Sequence, residues 1–134
     1  MKRFTLSLVA LLGVVSLSAQ TFHDNGVIAH RGAWKNTGHP QNTTASFRAA
    51  AEMGCHGSEC DVHLTGDDSL IVFHNLTHHG LPLRTSTYAE LIKYPLKNGE
   101  RIPTFREYLR EVVKQNRTKL IVDVKMMDGD EYSL

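Results

Sequence analysis

The sequence predicts an α/β fold built on a parallel sheet with crossover helices. Three observations carry this. Short apolar runs of strand length recur along the chain. Segments with helical periodicity separate them. Each of these runs empties into polar, chemically active residues at its C-terminal end.

The first 19 residues stand apart from that rhythm. Lys2 and Arg3 form a positive start, 4–15 is an uncharged apolar run, and Ser16-Leu17-Ser18-Ala19 is a small-residue exit that makes Gln20 a candidate mature N-terminus, with a cut one residue earlier as the alternative because Leu17 is bulky for the −3 position. A bilayer-spanning helix needs about 20 apolar residues, so the run reads as a cleaved secretory signal and not as an anchor. The mature protein, from residue 20 on, is expected to be exported, periplasmic or secreted, with no stable membrane insertion. The net charge of +1 carries no basic block and gives no footprint for nucleic acid. Export permits disulfides. However, Cys55 and Cys60 on an extended chain would lie roughly 16 Å apart, well beyond disulfide reach. They are expected as two buried thiols.

In the mature chain, 27–30 reads as a short buried strand. Residues 31–41 form a loop broken by Gly32, Gly38 and Pro40. Asn42 or Thr43 can cap a helix over 45–53, with Phe47, Ala50 and Ala51 on its apolar face and Gly54 at the C′ position. Residues 58–64 alternate as a strand, with Glu59, Asp61 and His63 on one face and Cys60, Val62 and Leu64 on the other. A turn at Gly66-Asp67-Asp68 leads to a second strand, 70–74. The link is too short for a parallel crossover, so the two strands must form a hairpin. Residues 76–99 are weakly patterned, with a possible helix at 88–94. Pro103 opens a helix that runs through 116 on a stripe of Phe105, Leu109, Val112 and Val113. A buried strand, 120–124, follows, and 128–134 adds no further element.

The chemistry sits where these strands end. Two carboxylates at i and i+2 on a strand, Glu59 and Asp61, point the same way. On a buried face they need a cation, and oxygen ligands suit Mg²⁺ or Ca²⁺. His30 and Arg31 follow the first strand, His74 ends the hairpin, and Asp123 and Lys125 end the last strand. In a parallel α/β sheet all strand C-termini meet at one end. Taken singly, each of these residues is better explained as structural or solvated, and it is their convergence on one rim that makes a site. His63 is the one further ligand candidate and is expected to be structural. His23 is expected to be disordered near the new N-terminus, and His39, His56, His78 and His79 to be solvated.

Six ordered motifs then resemble the glycerophosphodiester phosphodiesterase family: His30-Arg31-Gly32, Pro40-Gln41-Asn42-Thr43, Glu59-Cys60-Asp61-Val62 with Thr65 and Asp67, His74, Ile102-Pro103-Thr104-Phe105, and Asp123-Val124-Lys125. The resemblance implies a TIM (β/α)₈ barrel that hydrolyses small glycerophosphodiester substrates to glycerol 3-phosphate and an alcohol. It implies Glu59, Asp61 and Asp123 as ligands of a divalent metal, Ca²⁺ or Mg²⁺. It implies His30 and His74 as the catalytic pair, and Arg31 and Lys125 as phosphate contacts. The chain departs from the family pattern at Gln41 and Asp123, where Glu is usual, and at Asn75, where Asp is usual. A phospholipase D-like enzyme of the same superfamily and a non-catalytic metal- or phosphate-binding remnant stand as alternatives. A full barrel needs about 250 residues, and 134 are present. The chain is therefore expected to be the N-terminal part of such a barrel, three strands plus a hairpin, neither stable nor active alone.

Overall fold

The computed structural model describes residues 21–125. The signal segment and 128–134 lie outside the described residues.

One four-stranded sheet organises the chain around β2 (Gly57–Leu64). The strands β1 (Ile28–Ala29) and β6 (Lys119–Val124) both pair with β2 in parallel, in registers Ile28↔Gly57 and Asp61↔Asp123. β3 (Leu70–Val72) pairs with the far end of β2 antiparallel, with Val62 opposite Val72. The hairpin required by the short link is present, although its second arm ends at Val72, short of His74. A small second sheet, β4 (Thr77–His78) with β5 (Leu81–Pro82), follows directly. It is succeeded by a 3₁₀ turn (Leu83–Thr85) and by the short helix α2 (Tyr88–Leu91).

The helix α1 (Thr44–Glu52) starts where a reciprocal capping box forms between Thr43 and Ser46. The cap is therefore Thr43, not Asn42. Gly54, at φ 73°, takes the left-handed conformation that a helix end requires. The helix α3 (Phe105–Val112) is opened by a second box, Thr104 with Glu107, and is shorter than its periodicity implied.

The outward face of β2 meets both helices. Cys60 and Val62 pack with Phe47, Val72 and Tyr108, flanked by Phe105, Val112 and Leu120. Phe47 and Tyr108 meet edge to face at 5.8 Å. Each such ring contributes roughly 1.5–3 kcal/mol of apolar burial. The stripe of α3 is thus Phe105-Tyr108-Val112. Leu109 and Val113, expected in the core, are exposed, Val113 to 76%. A second cluster of Ile71, Leu83, Leu91 and Ile102 ties the 76–99 stretch to the hairpin and gives that stretch the core its own pattern does not announce.

The two thiols are buried and unpaired, as expected. Burial first, then the neighbouring carboxylates Glu59, Asp61 and Asp123, pushes the Cys60 thiol up to about 12. The two strands expected to be buried are not. Val27 and Ile28 are half exposed, and Val122 and Val124 of β6 are exposed. Each strand has β2 on one side and no described strand on the other, so half of its surroundings is open.

Three histidine expectations also change. His23 is tied down, its N–H donating to Arg117 O at 2.9 Å. His56 Nδ1 donates to the carbonyl of His23. His78 is buried, with Nε2 donating to Tyr94 O at 2.8 Å.

Candidate metal centre and phosphoester site

The inward face of β2 and the loop after β1 build the site together. Arg31 at φ 61° and Gly32 at φ 80° turn the chain sharply at the end of β1. A Cβ on Gly32 would stand 2.3 Å from Ser46 Oγ, so only glycine lets the loop lie on the first turn of α1. Backbone bonds hold the loop in place: Ala33 N–H donates to Ser46 O of α1 at 2.9 Å, and across the loop Asn42 N–H donates to Arg31 O at 3.0 Å. The Arg31 N–H then points at β2 and donates to Glu59 Oε2 at 2.9 Å.

Asp61 is the centre of the arrangement and is 1% exposed. Its Oδ2 accepts from Asn42 Nδ2 at 2.7 Å and lies 3.3 Å from Arg31 Nε. Its backbone N–H donates to Asn42 Oδ1 at 3.1 Å. Asn42 therefore grips both the main chain and the side chain of one residue. On the other side, buried Asp61 Oδ1 pairs with the Lys125 ammonium at 2.8 Å. Burial raises the Asp61 carboxyl, but the Lys125 ammonium and the Asn42 amide outweigh it and hold the group below the ordinary carboxylate range.

Asp123 stands beside Asp61 because β6 pairs with β2 in that register. Its Oδ2 contacts the same Lys125 ammonium. Lys125 is anchored at the strand end by its N–H, which donates to Val62 O at 2.9 Å. The carboxylates of Asp123 and Asp61 raise the Lys125 ammonium above its ordinary range and keep it charged.

The two histidines sit at the margins. His30 Nε2 lies 3.9 Å from Glu59 Oε2, with its side chain 69% exposed. His74 follows Phe73, whose N–H donates to Asp61 O at 3.0 Å, so the end of the hairpin arm is held against the strand of the carboxylates. His74 Nδ1 donates to Asn75 Oδ1 at 2.8 Å. His63 keeps the structural role expected of it: its Nε2 donates to His74 O at 3.2 Å, and burial lowers its imidazole below the ordinary range.

Glu59, Asp61, Asp123, Arg31, Lys125 and His30 thus form one contact network, with His74 approaching from the hairpin. Sequence reasoning missed the role of Asn42. It read Asn42 only as one of two alternative helix caps, and the signal that could have separated the roles is Thr43, which completes a Thr-x-x-Ser box and leaves Asn42 without a capping task. Gln41 was noted only as a lost charge, yet its Oε1 accepts from Arg31 Nη1 at 3.0 Å and steadies the guanidinium.

The residues fit a hard divalent cation. One oxygen from each of Glu59, Asp61 and Asp123 lies within 4.8 Å of the others. An all-carboxylate donor set of this kind suits Mg²⁺ or Ca²⁺.

Comparison with known proteins agrees with this geometry. The sequence profile of the glycerophosphoryl diester phosphodiesterase family matches residues 30–133. The chain is 42% identical over 115 residues to a glycerophosphodiester phosphodiesterase of Caldanaerobacter subterraneus subsp. tengcongensis, covering 77% of this chain and 45% of that protein. It superposes on a glycerophosphodiester phosphodiesterase from Parabacteroides distasonis with a TM-score of 0.73 and 44% identity, over 76% of this chain and 43% of that one. A phosphodiesterase from Oleispira antarctica, solved in complex with the product sn-glycerol-3-phosphate, matches with a TM-score of 0.61 and 26% identity, over 74% of this chain and 44% of that one. The chain spans less than half the length of each of these relatives. Their fold is a TIM barrel, and the three parallel strands with their helices are the corresponding part of it. By its motifs, its fold and these matches, the chain belongs to the glycerophosphoryl diester phosphodiesterase family.

Proposed function

We propose that the full-length protein hydrolyses glycerophosphodiesters to glycerol 3-phosphate and an alcohol, with a divalent cation held by Glu59, Asp61 and Asp123. The observation that carries this reading is the carboxylate trio beside Arg31 and Lys125 at the strand ends. The glycerol 3-phosphate held by the Oleispira relative supports the substrate class. When bound, the cation supplies charge stabilisation to phosphoryl oxygens.

The chain's own residues account for the rest. Arg31 and Lys125 hold the phosphoryl group and offset its growing negative charge. His74, donating Nδ1–H to the Asn75 oxygen, leaves Nε2 free as the base. It takes the proton of the attacking hydroxyl as the new P–O bond forms: water gives glycerol 3-phosphate directly, whereas glycerol's own hydroxyl gives a cyclic phosphodiester that a water then opens in a second displacement. His30, beside Glu59, gives a proton to the oxygen of the departing alcohol as its P–O bond breaks. Asn75 and Gln41 keep the positions of their charged counterparts as neutral hydrogen-bonding groups, so the departures change the partners of His74 and Arg31 without removing either residue.

The leader at 1–19 supports export, with the mature chain starting near Gln20. Among the described residues no helix is long and apolar enough to cross a membrane. N-terminal sequencing of the secreted or periplasmic protein reads the cleavage point directly.

The test is release of glycerol 3-phosphate from glycerophosphocholine by the full-length protein and by its His30→Ala and His74→Ala variants. Each variant is expected to lose about 10²–10⁴-fold in turnover while keeping its metal affinity. Variants that turn over like the wild type would remove both histidines from the chemistry.

A further inference from the structure

Asp61 and Asp123 are register partners on adjacent parallel strands, so two carboxylates face each other across the end of the sheet. Like charges in that relation destabilise a strand pair. Lys125 resolves the conflict. It stands two residues beyond Asp123 on the same face, and its ammonium spans Asp61 Oδ1, at 2.8 Å, and Asp123 Oδ2.

The two oxygens of Asp61 are held in different ways. Oδ2 has a directional bond from Asn42 and the Arg31 guanidinium beside it. Oδ1 is met by the ammonium of Lys125 alone, at 2.8 Å, on a flexible stem that is 31% exposed. A contact made by a single, partly exposed side chain with a route to solvent is one that another cation can replace. An ion gripped by Glu59, Asp61 and Asp123 and an ammonium gripped by two of the same residues would be like charges a few ångströms apart.

We propose that Lys125 is the resident counter-ion of the carboxylate trio, and that binding of a divalent cation expels its ammonium from between Asp61 and Asp123 and turns it toward the substrate phosphate. This rests on the metal reading above. The charges support the exchange. Three carboxylates against Arg31 and Lys125 leave the metal-free cluster with one net negative charge. A divalent cation converts that to one net positive charge, the complement of a phosphodiester monoanion. Loading the metal and arming the phosphate site become a single event.

The test uses the full-length protein and titrates Ca²⁺ or Mg²⁺ calorimetrically into wild type, Lys125→Met and Lys125→Arg. Thermal melts without metal check folding, and a crystal structure of the metal-loaded wild type completes the set. Lys125→Met is expected to bind the ion about tenfold more tightly, having no ammonium to expel, and to melt lower than wild type only when metal-free. Lys125→Arg is expected to bind no more tightly than wild type. In the loaded crystal structure the Lys125 ammonium should have left Asp61 Oδ1. Unchanged or weaker binding by Lys125→Met overturns the exchange, and so does a loaded structure with the ammonium still between the two aspartates; the metal site itself would survive either result. No binding by any form defeats the metal reading and this inference together. Should Lys125→Met fail to fold without metal, the loaded wild-type structure alone decides.

Discussion

Asp61 and Asp123 lie side by side in one sheet register, yet their surroundings differ sharply. Asp61 is buried and gripped by Asn42, Arg31 and Lys125; the Asn42 N–H donates to Arg31 O, which also accepts from Ser46 Oγ in the first turn of α1. Asp123, on a strand with an open side, is half exposed, and among the described residues its one ion pair is with the Lys125 ammonium. The first half of the site is over-determined by loop, helix and strand together. The second half is held by one ion pair. A preorganised group costs little to use, whereas a loosely held one is ordered by its ligand. The difference predicts that Asp61 sets whether the site exists, and that Asp123 only tunes it.

The largest effect should follow Asp61→Asn. It leaves the shape but removes the central charge, so Arg31 loses its carboxylate partner and Lys125 keeps only Asp123. Hydrolysis by the full-length protein is expected to fall by about 10³-fold or more, with divalent-ion binding lost in calorimetry. Metal affinity within a few-fold of wild type would break the comparison at its centre.

Asp123→Asn should do less, costing about 10–100-fold in turnover and weakening metal binding without abolishing it. If this variant were as damaging as Asp61→Asn, the two halves would be equal and exposure would be a poor guide to their roles.

Asn42→Ala sharpens the comparison by attacking the scaffold and not the charge. It removes a donor from a buried carboxylate and an acceptor from the Asp61 N–H. A loss of about 2–4 kcal/mol in unfolding free energy is expected from denaturant titration. Any fall in turnover should be smaller than that of Asp61→Asn. A neutral effect on stability would show that the grip on Asp61 is redundant.

Much of this was open to a reader of the sequence. The alternation of β2 displays Glu59 and Asp61 on one face against Cys60 and Val62 on the other, and both faces are found as that alternation implies. The short link after β2 allows nothing but a hairpin. Local chemistry fixes such features, and local chemistry is what a sequence spells out. The buried strands β1 and β6 were misread because burial belongs to the sheet's neighbours, not to a strand's own composition. The stripe of α3 was misread by one position: Leu109 is the more hydrophobic residue, but Tyr108 is the one that faces Phe47. The 76–99 stretch carries its start signal in plain sight, in the Thr87-x-x-Glu90 capping box one residue before α2. Asn42 was the hardest to read. It sits at φ 59°, and its partner lies 19 residues away, so neither periodicity nor propensity points to it.

The central claim is that Glu59, Asp61 and Asp123 hold one divalent ion on which hydrolysis depends. Its most direct measurement is a titration of chelated full-length protein with Ca²⁺ or Mg²⁺, following both bound metal per chain and release of glycerol 3-phosphate. The account predicts almost no turnover after chelation, with activity returning in proportion to occupancy and saturating at one ion per chain. Full turnover in protein stripped of metal would contradict it.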